Sequence, residues 1–306
     1  MTSTSQTPSE MITRISMNTE KEREIIFFAD GEPITDGMFS KALQEIGLRE
    51  GDTIFVHSDL LAFGDLIVED SRKTLTLIVR ALQEVVGMEG TIIIPTFTYS
   101  FLSEAWSGPL EVFDVERSPS KTGALTEYFR KQPNVIRTDH PTHSVAIWGS
   151  RKGFYSDIGD STFGKDSIFG KLHAENAKLV GLGFPMPGTF THYIEKQVGV
   201  PYRVDAILVG KVIRNGRTCQ KQVKFFQKKK NYSTTPERFI NKLRSTHKVK
   251  ISSLGDGEVS AIDARIAFEE GTTILRKNPY YFAKKITLID KSVSRLKAVT
   301  KALLRL

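Results

Sequence analysis

The chain has one cysteine, Cys219, in 306 residues. A single thiol excludes an intramolecular disulfide framework and a cysteine-built zinc site. Cys219 lacks a matched histidine nearby in sequence and follows Arg217 in a β-rich run, so an ordinary structural thiol is expected. No run of about 18 apolar residues occurs, which leaves no candidate membrane-spanning helix. The opening MTSTSQTPSEM is polar, without the apolar stretch of a signal peptide, so a cytoplasmic chain with a polar tail over residues 1–20 is expected. No glycine-rich dinucleotide fingerprint follows a strand-like run, which argues against a Rossmann fold. No two histidines have the i, i+4 spacing of helix-borne zinc proteases, so no metal is expected. Internal repeats, low-complexity linkers and proline- or glycine-rich hinges are also missing.

What is present is enough for a full core: 40% of residues are hydrophobic, and the length suits one large domain. The net charge of +8 is uneven. Residues 201–306 hold 24 Lys/Arg against 8 Asp/Glu, leaving 19 against 27 for residues 1–200. An acidic front attracts cations such as polyamines, and a basic back attracts anions.

Along the first two-thirds, strand-like runs alternate with amphipathic helices, which predicts a layered α/β domain. Thr35 is the expected cap of a helix carrying Met38, Leu43 and Ile46 on its apolar side. A second helix places Leu75, Ile78, Leu82 and Val85 on one stripe and stops at Gly87, ahead of the buried strand TIIIP. Ser118 followed by Pro119 reads as the start of a third helix. SVAIWG and KLVGLG are short strands ending in glycine. Beyond residue 200 the texture becomes β-rich, with a hairpin expected at Asn215-Gly216. The main domain is thus expected over residues 21–290. Residues 291–306 read as a basic amphipathic helix, suited to docking on its own domain and, less readily, to an anionic membrane surface.

His57, His140 and His192 each sit beside an expected strand end or loop, where ligands collect on α/β sheets. In the stretch FTHYIEKQVGVPYR, a helix capped at Thr189 puts His192 at its third position, where the positive end of the helix dipole favours a neutral imidazole. Glu195 lies on the same face and either favours protonation or fixes one tautomer. Two surface residues at ordinary helical spacing would look the same. A serine–histidine hydrolase using Ser144 or Ser58 is a further reading, although no G-x-S-x-G elbow is present. Lys221, Lys224, Lys228, Lys229 and Lys230 with Phe225 and Phe226 could form a basic-aromatic nucleic-acid surface, but a lysine-guarded hairpin edge explains them more simply.

Four blocks occurring in order, VHSDLLAFG (56–64), GTIIIPTFTYSF (90–101), RTDHPTHSVAIWG (137–149) and STFGKDSIFGKLHAENAKLVGLG running on to THYIEKQVGVPYR (161–203), resemble the aminoglycoside 3-N-acetyltransferase family. The resemblance covers about residues 35–203, with a weaker continuation to about 285. It implies an α/β/α layered fold with a central mixed sheet, distinct from the commoner acetyltransferase fold. It further implies transfer of an acyl group from acetyl-coenzyme A to an amine, without a metal. His192 would be the general base and Glu195 its supporting carboxylate. The resemblance places His57, Ser58, Thr96, His140, His143 and Ser144 around the acyl-coenzyme A and its carbonyl, with Ser58 and Thr96 as candidate donors to the developing oxyanion. The family's serine-proline-phenylalanine triplet is Ser167-Ile168-Phe169 here. The expected acceptor is an aminoglycoside or, given the basic back, a nucleotide-linked amino-sugar.

Overall fold

In the computed structural model, residues 24–66, 71–102 and 112–287 are described. The expected polar tail (1–20) and C-terminal helix (291–306) lie outside them. The chain opens with strands β1 (Ile25–Ala29) and β2 (Glu32–Thr35) and helix α1 (Asp36–Glu45), capped by Thr35, whose hydroxyl accepts from the Met38 amide at 3.3 Å. Leu43 and Ile46 are buried as expected, together with Ala42, but Phe39 takes the buried position at the start of the stripe and Met38 points outward, 41% exposed. Strands β3 (Thr53–Ser58) and β4 (Asp65–Leu66), helix α2 (Ser71–Val86) and strand β5 (Thr91–Pro95) follow. On α2, Ile78 and Leu82 are buried, while Leu75 and Val85 flank the contact and Leu77 and Val86 take the deeper positions.

Next come β6 (Val112–Asp114), α3 (Ala124–Phe129), β7 (Ile136–Arg137), β8 (Val145–Gly149) and α4 (Lys152–Ser156). The helix expected from Ser118 begins six residues later. Ser118 is held in a turn, its hydroxyl accepting from the Asp114 amide at 2.9 Å, while the Lys121 amide donates to the Phe97 carbonyl at 2.8 Å. Those bonds hold the segment in turns against the end of β5 until Gly123, so local capping chemistry loses to tertiary hydrogen bonding. Helix α5 (Ile168–Ala174) is capped by Ser167, whose hydroxyl accepts from the Gly170 amide at 3.2 Å. Ile168 thus stands at the first helical position, where proline is favoured but not required, and the helix forms without it.

The remaining elements are β9 (Lys178–Leu182), α6 (Phe190–Val198), β10 (Arg203–Arg214), β11 (Arg217–Lys228), β12 (Tyr232–Thr234), α7 (Glu237–Ser245), β13 (Lys250–Leu254), β14 (Gly257–Asp263), α8 (Ala264–Lys277) and β15 (Ala283–Lys285). Asn215 and Gly216 both have positive φ (50° and 71°) between the paired Arg214 and Arg217, which makes the two-residue turn that suits strand twist.

Seven strands form a mixed sheet in the order β13-β14-β9-β3-β5-β8-β7, with β9, β3 and β5 parallel and the flanking pairs antiparallel. The period-two alternation of strand side chains divides the core. Ile54, Val56, Ile92 and Ile94 face α1 and α2, whereas Phe55, Ile93, Leu179 and Ile262 face α5, α6 and α8. This is the α/β/α arrangement expected. Two strands of the basic C-terminal third, β13 and β14, complete the same sheet, while β10 and β11 form a long hairpin whose first strand runs parallel to β6.

Candidate active site

The carboxyl ends of the parallel strands β3, β5 and β9 converge on one side of the sheet. From β9 the chain passes through Gly183 (φ 64°) and Gly188 (φ 54°) into α6. Thr189 occupies the cap position but its side chain makes no capping bond; the Thr191 hydroxyl donates instead to the Gly188 carbonyl at 2.8 Å. His192 is therefore at the third helical position, as expected, and Glu195 lies one turn on with only 1% of its surface exposed.

Helix α6 ends at Gly199 in the left-handed conformation (φ 75°), which needs glycine and turns the chain back along the helix. Tyr202 and Arg203 thereby reach the Glu195 carboxylate. The Tyr202 hydroxyl donates to Oε1 at 2.6 Å, and Arg203 Nε lies 2.7 Å from Oε2 as an ion pair. His192 Nδ1 is 2.6 Å from the same Oε2, and Arg203 Nη2 is 2.9 Å from Nδ1. Burial alone would raise the Glu195 carboxyl, but the His192 ring, Arg203 and the Tyr202 hydroxyl outweigh it and hold it below the usual carboxylate range. For His192, burial and then Arg203 lower the pKa, and the opposing pull of Glu195 does not cancel them.

An ionised carboxylate only accepts hydrogen bonds. His192 Nδ1 therefore faces one group that can only accept, Glu195 at 2.6 Å, and one that can only donate, Arg203 Nη2 at 2.9 Å; the shorter contact to the carboxylate favours the hydrogen on Nδ1, with Nη2 then reaching Nε2, the unprotonated nitrogen, at 3.4 Å. His192 borders a cavity of about 290 Å³ walled by Phe184, Pro185, Pro236, Ile240 and Phe282, with Glu237 also lining it.

The other candidate residues divide into two groups. His57, His143 and His192 are linked through aromatic contacts: His57 lies 6.4 Å from Phe97, Phe97 is 4.4 Å from His143, and Phe163 is 5.3 Å from His143 and 5.6 Å from His192. His57 also stacks on Phe184 at 5.1 Å, beside the half-buried Ser58 at the end of β3. His57 Nε2 and His143 Nδ1 are buried without a hydrogen-bond partner. The second group is a framework. His140 is held by Thr142 at 3.2 Å and accepts from the His143 amide at 3.3 Å. Thr96 and Ser144 have no exposed surface; their hydroxyls are 3.2 Å apart, and Arg137 Nε donates to both at 3.1 and 3.2 Å. Ser144 thus has threonine and arginine partners where a hydrolase would need a histidine.

Phe225 and Phe226 pack inward, against His143 and in the core respectively, and Lys221 is paired with Asp139 at 2.8 Å. The basic-aromatic pattern of this hairpin is therefore not an exposed stacking surface. Cys219 is exposed on β11. Among the described residues, no three His, Cys, Asp or Glu side chains converge as a metal site, and no helix is long and apolar enough to cross a membrane.

Burial lowers His57 to about 4, lowers His140 to about 3 with help from Lys221, and pushes His143 well below the ordinary histidine value. An unfolded chain takes up these protons near 6.5. As pH falls from about 6.5 toward 3, the unfolded state therefore binds more protons than the native one, and stability declines. The urea midpoint is expected to be lower at pH 5 than at pH 7.5; an unchanged midpoint would show that the native rings protonate normally.

Sequence reasoning missed Arg203, Tyr202 and Phe163 at the site, and Arg137 behind it. The signal for the first two was the helix-ending Gly199, which makes residues soon after it return past Glu195.

The family that the chain matches is a class of N-acyltransferases. Residues 55–276 match the aminoglycoside 3-N-acetyltransferase family, and the chain belongs to it. It is 24% identical over 210 residues to the SPbeta prophage-derived aminoglycoside N(3')-acetyltransferase-like protein YokD of Bacillus subtilis, covering 63% of this chain and 75% of that one. It is 26% identical over 189 residues to aminoglycoside N(3)-acetyltransferase VII of Streptomyces paromomycinus, covering 56% and 64%. Among solved structures, the fold is similar to AAC-IIIb in a binary complex with CoASH (TM-score 0.67, 22% identity, 79% of this chain and 96% of that one). It is equally similar to AAC-VIa bound to sisomicin (TM-score 0.67, 22% identity, 79% and 97%).

Proposed function

We propose that this protein transfers an acyl group from a coenzyme A thioester to an amine of an aminoglycoside or amino-sugar, with His192 as general base. The observation that carries the reading is the 2.6 Å contact between His192 Nδ1 and Glu195, which directs the unprotonated nitrogen away from the carboxylate. An amine acceptor is mostly protonated near neutral pH, so acylation requires a group that takes up a proton. His192 Nε2 takes it, directly or through one water, while Glu195 holds the ring in one orientation. Glu237, which lines the cavity, is placed to receive a second ammonium group of the acceptor.

The residues fit an acyl-thioester. Two buried imidazole nitrogens, His57 Nε2 and His143 Nδ1, lack a protein partner, His143 lies one phenylalanine ring from His192, and Gly188 passes so close to His57 that a Cβ there would lie 3.2 Å from its ring. His57, Ser58, His143 and the 183–188 loop would hold the donor, whose contribution is an activated carbonyl. Thr96, His140 and Ser144 serve this reading as the buried support of that wall rather than as donors.

The nature of the acceptor is the finer part of the proposal. Free-thiol release from acetyl-coenzyme A should be measured against a panel of aminoglycosides and a panel of nucleotide-linked amino-sugars. Turnover with either supports the reading and assigns the acceptor class. Failure of coenzyme A to bind, with no thiol released by any amine, would refute it.

A further inference from the structure

Charge balance around the His192–Glu195 pair has a consequence for Arg203. A buried carboxylate beside an imidazole has two ways to be compensated: the ring takes a proton and becomes its counter-ion, or another cation supplies the charge and the ring stays neutral. Only the second leaves a base at neutral pH. Arg203 occupies the position of that cation. It is 8% exposed, its Nε is 2.7 Å from Glu195 Oε2, and its Nη2 is 2.9 Å from His192 Nδ1 and 3.4 Å from Nε2. Its third nitrogen, Nη1, donates to the Phe226 carbonyl at 3.1 Å, so the guanidinium is fixed from the β10–β11 hairpin rather than from α6.

We infer that Arg203 is the positioning residue that keeps His192 a neutral base, by serving as the permanent counter-ion of Glu195 in place of the imidazole. The inference rests on the reading of His192 as the base. Arg203 itself takes up no proton; beyond the 3.4 Å approach of Nη2 to Nε2, it acts through Glu195 and through the electrostatics of the ring.

The remaining charged and titratable groups around the ring do not take over this role. Tyr202 stays protonated, its pKa raised by burial and by Glu195, and it neutralises no charge. Lys196 on α6 is engaged with Asp205 at 2.6 Å. His143, across Phe163, is kept neutral by burial. Lys228, opposite Arg203 on the hairpin, has its ammonium on the Tyr232 carbonyl. Glu237 on α7, which also lines the cavity, is acidic and so cannot supply a cation to Glu195.

The test is Arg203→Gln and Arg203→Lys, read by pH–rate profile and by ¹⁵N NMR of the His192 ring. In the unaltered protein at pH 7, the ring is expected to be neutral with hydrogen on Nδ1. In Arg203→Gln, Glu195 is left without its cation, so His192 should become imidazolium at pH 7. The acid limb of kcat should then move up by about two pH units, and kcat at pH 7 should fall by about tenfold, with the KM for acetyl-coenzyme A little changed. Arg203→Lys keeps the charge but not the fork, and is expected to return the limb most of the way while recovering only part of kcat. An imidazolium in the unaltered protein at pH 7 overturns the inference, as does a folded Arg203→Gln variant whose acid limb has not moved. If Arg203→Gln does not fold, the NMR state of the unaltered protein and the Arg203→Lys profile decide. The NMR readout needs no substrate, so it stands even if the acyl-transfer reading fails.

Discussion

Replacing His192 with alanine is expected to lower kcat for acyl transfer by about 10²–10⁴-fold, the span usually contributed by a positioned general base, while coenzyme A binding stays nearly intact. The fold should survive, because Glu195 keeps Arg203 at 2.7 Å and the Tyr202 hydroxyl at 2.6 Å when the ring is gone. Calorimetric titration with coenzyme A alongside single-turnover kinetics separates the two effects. A variant that binds coenzyme A and retains most of its turnover would make the base assignment wrong. Glu195→Gln should cost less, since the amide oxygen can still receive Nδ1–H and the imidazole remains. In that variant Arg203 is left without its counter-charge beside the ring, which makes His192 harder to protonate. The acid limb is therefore expected to move down in Glu195→Gln and up in Arg203→Gln.

The second large effect is on stability. Arg137, 8% exposed, donates to the Thr96 carbonyl at 2.7 Å, the Ser118 carbonyl at 2.6 Å, the Val115 carbonyl at 3.1 Å and the hydroxyls of Thr96 and Ser144. It ties the ends of β5, β7 and β8 to the segment after β6. Burial, followed by the neighbouring Arg130, lowers its pKa to about 10, so it remains charged at neutral pH. Arg137→Met removes all these donors at once. Each buried acceptor left without a partner costs on the order of 1–3 kcal/mol, and a neighbouring cavity of about 460 Å³ allows water to reach some of them. A loss of about 3–5 kcal/mol in urea unfolding is expected. A loss under about 1 kcal/mol would mean that the acceptors find other partners and that Thr96 and Ser144 need no arginine to hold them.

The features readable along the chain were those whose cause is local. Thr35 caps a helix because its hydroxyl reaches an amide three residues on, and Asn215-Gly216 closes a hairpin because both residues accept positive φ. The buried run TIIIP is a central strand because apolar residues point to both faces of a covered sheet. His192 and Glu195 meet because one helical turn brings them together. At Ser118 the local signal was outweighed by bonds to Asp114 and to the distant Phe97, and at Met38 by Phe39, which takes the buried position beside it.

The sequence by itself therefore determined the layered α/β class, the hairpin, the helix that carries His192 and Glu195, and, through four blocks in order, the family. Tertiary structure alone decided the strand order, the inward turn of Phe225 and Phe226, the assignment of Thr96 and Ser144 to the Arg137 framework, and the placing of Arg203 against Glu195. Turn and cap preferences act over a few residues, whereas the contact of Arg137 with Thr96 spans 41 positions. Arg203 is only 8 positions from Glu195, yet they meet because Gly199 reverses the chain and the hairpin fixes the guanidinium. On the proposed reading, that contact decides whether His192 is a neutral base or a protonated ion-pair partner, and helical spacing alone does not set it.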